Sequence, residues 1–262
     1  SLAGTLGLGK LIYLYDDNHI SIEGSTDIAF TEDVGKRFEA YGWQVLRVDD
    51  AEDLFLLSEA IRNAQGETEK PTLIMVRTHI GYGSPKEDSA AAHGEPLGKD
   101  NLAATKQKLG WPETPAFHVP DQVREAFAHL QKDGLAREEV WNKLLAAYAV
   151  EYPAEAAALT ALIKGEFPAG WDAALADVFA TVKATSTREA SGELLQVLSA
   201  RLPGLVGGSA DLAPSNKTYV KKAGDFSAAQ PAGRNLHFGV REHAMGAIAN
   251  GLALHGALIP YT

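Results

Sequence analysis

Residues 11–77 alternate between short apolar runs and amphipathic stretches, and this alternation constrains the fold more than any other feature of the sequence. The apolar runs predict three strands, which are Leu11–Tyr15, Trp43–Val48 and Thr72–Arg77, the first of them buried on both faces. The amphipathic stretches predict a helix at 31–42, with Thr31 as its cap, and a second helix at 50–64. Strands and helices that alternate through short connections form a parallel sheet flanked by helices, so we predict an α/β fold.

The later sequence predicts another α/β layer after a long helical segment. Residues 121–166 are helical and rich in alanine, and the breakers in Phe167–Gly170 mark a hinge region. Ser186 and Glu189 form a capping-box pair that opens a further helix. A strand at 236–238 and a helix at 240–254 follow. The sequence begins without methionine and stops inside a predicted strand, so we expect a fragment of a longer polypeptide.

Composition narrows the class of partner. The 262 residues include 24 basic and 34 acidic ones, a formal charge of −10, which argues against nucleic acid because its binding depends on basic groups. A site for an anionic substrate therefore requires a local concentration of positive groups. The chain has no cysteine, which excludes disulfides and thiolate chemistry. No apolar run reaches the ~18–20 residues that span a bilayer, so we expect no membrane partner and a cytoplasmic location.

The first candidate site is the segment Asp16–Ile20, which follows the first predicted strand. Ligands of open parallel sheets bind outside the carboxyl ends of the strands. Asp and Asn side chains and backbone carbonyls supply the oxygen ligands that Mg²⁺ or Ca²⁺ prefers. The same residue types also build ordinary turns after strands, and composition favours that alternative.

A second candidate is the glycine-rich segment 78–98. Its glycines at 81 and 83 allow backbone N–H groups to approach an anion, and His93 can bind phosphate or transfer a proton. Structureless loops of this length are usually functional or disordered. The alternative is a solvated histidine on a plain loop.

Two further candidates lie near the end of the sequence. Residues 207–216, with Arg188 upstream, combine a Gly-Gly turn, hydroxyl groups and a guanidinium that could hold a phosphomonoester. An ordinary turn and a solvated arginine explain them equally well. Glu242 opens the predicted helix at 240–254, where a carboxylate complements the helix dipole or, if buried, holds a proton.

Eight strings, in order, resemble the transketolase family, whose members use thiamine diphosphate. They are Ser1-Leu-Ala-Gly-Thr-Leu, Tyr15-Asp-Asp-Asn, Phe38-Glu-Ala-Tyr-Gly-Trp, Ile80-Gly-Tyr-Gly-Ser-Pro, His93-Gly-Glu-Pro-Leu-Gly, Leu109-Gly-Trp, Gly207-Gly-Ser-Ala-Asp-Leu-Ala-Pro-Ser-Asn and Gly239-Val-Arg-Glu-His. The resemblance covers essentially the whole chain but only the middle of the family's polypeptide. It implies two consecutive parallel-sheet domains of the thiamine-diphosphate-binding type, both incomplete, joined by a helical linker. The implied boundaries are 1–152 for the pyrophosphate-binding part, 153–185 for the linker and 186–262 for the pyrimidine-binding part.

The resemblance also implies a role for each matching residue. Asn18 and the carbonyl of Ile20 correspond to metal ligands for Mg²⁺ or Ca²⁺, and Ile22 and Ile80 to apolar residues that pack on the cofactor. His93 corresponds to a histidine shared by the diphosphate and the substrate. Arg188 and Ser215 correspond to the pair that binds the sugar phosphate. Asp211 corresponds to a residue near the cofactor at the subunit interface, and Glu242 to the glutamate that hydrogen-bonds the aminopyrimidine ring.

The activity implied is the transfer of a two-carbon ketol unit from a ketose phosphate to an aldose phosphate, through a carbanion formed on thiamine diphosphate. A homodimer is implied too, in which Glu242 of one copy serves the cofactor held by Asn18 of the other. No Gly-Asp-Gly metal motif occurs in the sequence. We therefore expect this chain alone to bind the cofactor weakly and to show no turnover.

Two other functions remain open at this point. A sister enzyme with the same cofactor, such as a phosphoketolase or a deoxyxylulose-phosphate synthase, fits less well because the string at 207–216 favours transketolase. A truncated, non-catalytic homologue that binds a partner or a sugar phosphate is the alternative from another class. The missing metal motif favours that homologue, whereas the presence of Asn18, His93, Arg188 and Glu242 argues against it.

Overall fold

The computed structural model describes residues 1–181 and 184–262, so residues 182–183 of the predicted linker lie outside the described part. The chain divides into two units, Ser1–Ala126 and Phe127–Thr262. The strands are β1 Ile12–Asp17, β2 Ile20–Ser21, β3 Gly24–Ser25, β4 Gln44–Val48, β5 Thr72–Arg77, β6 Leu205–Ser209, β7 Asn235–His237 and β8 Ile259–Tyr261. The helices are α1 Leu2–Thr5, α2 Val34–Ala40, α3 Leu54–Gly66, α4 Ala91–Gly94, α5 Lys99–Lys108, α6 Asp121–Glu151, α7 Pro153–Lys164, α8 Leu175–Thr181, α9 Thr187–Arg201, α10 Ala213–Asn216 and α11 Glu242–His255. A 3₁₀ turn spans Thr26–Ile28. None of the helices in the described residues is both long and apolar enough to cross a membrane.

The first unit contains a parallel three-stranded sheet in the order β1-β5-β4. Side chains of the central strand β5 alternate between two apolar clusters, one on each face of the sheet. Ile74 and Val76 pack with α3, whereas Leu73 and Met75 join Trp43 on the face that α2 covers. Helices therefore flank both faces of this sheet, as the alternating pattern predicts.

Three details of the first unit differ from the predictions. Strand β1 is an edge strand, so the expected burial on both faces is wrong, and Leu14 is 56% exposed. Helix α2 is capped by Asp33 and not by Thr31, because the Asp33 carboxylate accepts the Lys36 N–H at 3.0 Å. Helix α3 begins at Leu54, later than predicted, because the Asp53 carboxylate accepts the first free N–H groups.

The second unit contains a parallel sheet in the order β7-β6-β8. The Gly207–Gly208 pair lies inside the central strand β6, so its interpretation as a turn is wrong. A Cβ at Gly207 would lie 2.0 Å from the Tyr261 carbonyl oxygen, and one at Gly208 would lie 1.9 Å from that of Leu236. Both glycines are therefore required by the close approach of the neighbouring strands, which is why a strand contains residues that strands usually avoid.

Candidate functional site

The turn after β1 and the loop after β5 begin side by side at the carboxyl edge of the first sheet. Asp17 pairs in register with Arg77, and the Arg77 guanidinium donates hydrogen bonds to the carbonyls of Asp17, at 2.9 Å, and Thr78, at 2.6 Å. The Thr78 hydroxyl bonds the Asp16 carboxylate. These contacts join two segments that are about sixty residues apart in the sequence, at the edge where parallel sheets bind ligands.

The turn after β1 places Asn18 and Ile20 together. The Asn18 amide oxygen accepts the Ile20 N–H at 2.9 Å, which fixes the side chain, and His19 between them adopts φ +60°. Both Asn18 and Ile20 are partly buried, whereas Ile22 lies in the turn of the β2–β3 hairpin with 72% of its side chain exposed. The donor set of an amide oxygen and a backbone carbonyl fits a hard divalent cation, which binds oxygen ligands.

The glycine-rich loop brings together the two segments that carry Ile80 and His93. Gly81 has φ +67°, and a Cβ there would lie 2.9 Å from the Cβ of Ala92. Helix α4, which carries His93, therefore packs directly on the residue that follows Ile80. His93 is exposed and Ile80 is partly buried. The predicted cofactor residues of the first unit thus lie on two adjoining segments.

The loop 78–98 is held by its own side chains, which the sequence reading does not reveal. The Glu87 carboxylate accepts the Gly83 N–H at 2.8 Å and the Lys108 ammonium at 3.1 Å. The pKa of Glu87 lies below its usual value, mainly because of the hydrogen bond from the Gly83 N–H and secondly because of the one from Lys108. Nδ1 of His79 lies 2.8 Å from the Asp88 carboxylate, and the ligand atoms of His79, Glu87 and Asp88 all lie within 4.8 Å of one another. This group does not include the predicted metal residue Asn18.

In the second unit the segment after β6 carries Asp211 and Ser215. The Ser209 hydroxyl accepts the Leu212 N–H at 3.1 Å and closes the turn, in which Asp211 has φ +65°. Ser215 lies on the short helix α10, and both Asp211 and Ser215 are exposed. A cavity of about 560 Å³ adjoins this turn, and its lining includes Asp211 but not Ser215.

Arg188 lies in the first turn of α9, on the helix that contacts α10. The capping box predicted for Ser186 and Glu189 forms only in one direction: the Ser186 hydroxyl accepts the Glu189 N–H at 3.4 Å. The Glu189 carboxylate lies 3.4 Å from the Lys217 ammonium instead. Helices α9 and α10 contact each other, so the two predicted phosphate-binding residues, Arg188 and Ser215, lie on adjacent elements.

Glu242 is the first residue of α11, and four residues connect it to the carboxyl end of β7. Phe238 anchors the connection with only 2% of its side chain exposed, and Gly239 turns the chain with φ +62°. The Arg241 guanidinium donates to the Phe238 carbonyl at 2.8 Å. The Glu242 carboxyl is exposed at this edge of the sheet.

One pair of side chains near that edge was missed by the sequence reading. Nε2 of His237 lies 2.8 Å from the Asp225 carboxylate, and His237 lines the same cavity as Asp211. The hydrogen bond to His237 is the main cause that lowers the pKa of Asp225, and the charge of Asp225 in turn raises the pKa of Tyr219. The pair spans 12 positions in the sequence, and no local pattern indicates it.

Comparison with known proteins finds two adjacent family models. A model described as "Transketolase, thiamine diphosphate binding domain" matches residues 1–168, and one described as "Transketolase, pyrimidine binding domain" matches residues 183–262.

Relatives and solved structures agree with these matches. The chain is 52% identical to Transketolase 10 of Craterostigma plantagineum and 52% identical to a transketolase of a Nostoc species, and covers 39% of each of them with all of its own length. A crystal structure of Pichia stipitis transketolase in complex with sedoheptulose-7-phosphate superposes with a TM-score of 0.91 at 40% identity. That match covers 98% of this chain and 39% of the other. The chain therefore spans well under half the length of these relatives.

Proposed function

Because this chain belongs to the transketolase family, we propose that it forms part of an enzyme that transfers a two-carbon ketol unit from a ketose phosphate to an aldose phosphate. One observation carries the proposal most directly. Asn18, Asp211 and Glu242, which match the family, each follow the carboxyl end of a strand in two successive parallel sheets, where α/β folds bind ligands. The domain boundaries predicted at 152 and 185 are part of this proposal.

The first unit is proposed to hold the diphosphate end of thiamine diphosphate and its metal ion. The fixed amide oxygen of Asn18 and the carbonyl of Ile20 supply oxygen ligands for Mg²⁺ or Ca²⁺. Ile22 and Ile80 supply apolar surface for the cofactor, and the 72% exposure of Ile22 leaves it available for such a contact. His93, next to Gly81, is proposed to contact both the diphosphate and the substrate.

The second unit is proposed to act on the aminopyrimidine ring and the substrate. The Glu242 carboxyl would hydrogen-bond a nitrogen of that ring and hold a proton there, and Asp211 would lie near the cofactor at the interface of two copies. Arg188 and Ser215 bind the distal phosphate of the sugar, which fixes the position of its carbonyl group. When bound, thiamine diphosphate supplies the electron sink that carbon–carbon cleavage requires.

We further propose that the chain acts as a homodimer, in which the coenzyme bound by Asn18 of one copy contacts the partner's Glu242. Support comes from the family membership and from the exposure of Glu242. Sedimentation of the protein, with and without thiamine diphosphate and Mg²⁺, tests whether two copies associate. The cytoplasmic location stays a prediction, which fractionation of the source cells can test.

Calorimetry tests the proposed function at the level of binding. Thiamine diphosphate is titrated into the protein with Mg²⁺, with Ca²⁺ and with EDTA. We expect heat of binding that depends on the metal, and we expect Asn18→Ala to weaken the affinity for the cofactor at least tenfold. Absence of any metal-dependent heat in the complete protein would contradict the proposal and favour a non-catalytic homologue.

A coupled ketol-transfer assay tests the proposed function at the level of turnover. Glu242→Gln retains the shape of the side chain, but its amide cannot accept and release a proton as the carboxyl group can. We expect it to lower turnover by at least a hundredfold in the complete protein, with ketose-phosphate binding retained. Unchanged turnover would remove Glu242 from the mechanism.

A further inference from the structure

Lys217 lies next to the residues proposed to bind the sugar phosphate, and neither the family match nor the sequence reading gives it a role. It ends α10 two residues after Ser215, in the left-handed conformation with φ +61°. Glycine or asparagine usually occupies such a helix-ending position. We propose that Lys217 is a third group of the phosphate site formed by Arg188 and Ser215, a proposal that rests on the proposed function.

The Lys217 side chain lies across α9, the helix that carries Arg188. A Cβ on Gly192 would lie 2.5 Å from the Lys217 Cβ, so the lysine stem crosses α9 directly on this glycine. The ammonium reaches Glu189, which is three residues, or about 4.5 Å along the axis, nearer the start of the helix. Arg188 precedes Glu189 and lies on the same face as Gly192, four residues away.

Ser215 is close to Lys217 along the chain. They are two positions apart, so their Cα atoms lie within roughly 7 Å of each other. The hydroxyl of Ser215, the guanidinium of Arg188 and the ammonium of Lys217 therefore come from three neighbouring positions on α9 and α10. All three residues belong to the second unit.

A further positive group would favour the binding of a phosphate on chemical grounds. A phosphomonoester carries a charge of about −1.5 to −2 at neutral pH. Within the second unit, the predicted pair of Arg188 and Ser215 brings one positive charge to it, on a chain whose formal charge is −10. Lys217 supplies the second charge, and its ammonium remains accessible because the side chain is 40% exposed.

Glu189 then has a definite part in the site. Its carboxylate lies 3.4 Å from the Lys217 ammonium and is 46% exposed, and ion pairs this exposed contribute little to folding stability. We infer that it holds the ammonium beside the phosphate position and competes with the phosphate for it. Removing the Glu189 charge should therefore strengthen phosphate binding, but only while Lys217 is present.

Calorimetry on the complete protein, loaded with thiamine diphosphate and Mg²⁺, tests the inference. The probes are ribose 5-phosphate, without a ketose donor so that no turnover occurs, and unphosphorylated ribose. We expect Lys217→Met to weaken binding of ribose 5-phosphate about fivefold without changing the binding of ribose. Lys217→Arg should retain affinity, because it keeps the charge.

Glu189→Gln should strengthen ribose 5-phosphate binding about twofold, and this gain should disappear in the double variant with Lys217→Met. Lys221→Met is the matched control. The Lys221 N–H is bound by Gln196, which lies eight residues, or about 12 Å, along α9 from Arg188. We therefore expect this variant to bind ribose 5-phosphate as the parent does.

The outcomes separate the inference from the proposed function. If Lys217→Met binds ribose 5-phosphate within twofold of the parent while Arg188→Met loses more than tenfold, the role of Lys217 is wrong and the proposed site stands. If Arg188→Met also leaves binding unchanged, the proposed phosphate site itself is wrong. Should Lys217→Met fail to fold, the Glu189→Gln titration decides, because an unchanged affinity there contradicts the competition.

Discussion

Asn235 should be the most sensitive polar residue of the second unit, since it ties the segment 218–225 to strand β7. Its side chain is buried, with 2% exposure, and makes three hydrogen bonds. The amide oxygen accepts the Val220 N–H at 2.9 Å, and the amide nitrogen donates to the carbonyls of Val220 at 2.9 Å and Gly224 at 3.0 Å. The Val220 carbonyl also accepts the Ala223 N–H, and the Gly224 carbonyl accepts the Arg234 and Asn235 N–H groups, so the Val220 N–H depends most on the Asn235 side chain.

The expected cost of Asn235→Ala follows from these bonds. Each contributes about 0.5–1.5 kcal/mol net, and the buried Val220 N–H, which would lose its acceptor, adds a desolvation cost, so we expect a loss of about 3 kcal/mol in the free energy of unfolding. Asn235→Asp should lose at least about 2 kcal/mol, because a carboxylate would face two carbonyl oxygens without a donor.

Urea denaturation at pH 7, combined with hydrogen exchange of the segment 218–225, measures the effect. Asn142→Ala, at an exposed position on α6, is the matched control and should change stability by less than about 0.7 kcal/mol. A loss below about 1 kcal/mol for Asn235→Ala, or unchanged exchange of the Val220 amide, would refute the reasoning.

Three further predictions concern the site segments. Gly81→Ala should destabilise the protein by about 1–2 kcal/mol and weaken cofactor binding, because φ is +67° and the new Cβ would meet Ala92. Gly94→Ala, which has open space around it, is the control and should leave the stability nearly unchanged. Thermal melting of both variants measures the difference. In the folded protein the pKa values of Glu87 and Asp225 lie below their usual values. The two carboxylates therefore stabilise the fold above about pH 4, and this stabilisation is lost as the pH falls through the lowered pKa values. Urea midpoints measured at pH 7 and pH 3 should show the loss. Asn18→Ala should leave the free energy of unfolding within about 0.5 kcal/mol of the parent, while it weakens the metal-dependent binding of the cofactor. Urea denaturation and a calorimetric titration of the same variant measure the two effects.

Local patterns in the sequence were enough to predict most elements of the first unit. Strands β4 and β5 and helix α3 follow from apolar runs and helical spacing, which depend only on neighbouring residues. The ends of elements were less accurate, because the choice between Thr31 and Asp33 as a cap depends on which side chain reaches a free N–H group. The long segment 78–98 was predicted without structure, yet side chains such as Glu87 hold it in place.

The sequence alone determined the α/β class, the order of the elements and the family, since these depend on periodicity and on motifs that are continuous in the chain. Tertiary structure alone decided which strand lies at the edge, why Gly207 and Gly208 occupy a strand, and which residues meet across long separations. The pairs Asp225–His237 and Glu189–Lys217 join positions that share no local pattern. Their contact depends on how strands and helices pack, and packing is a property of the folded chain rather than of any segment in it.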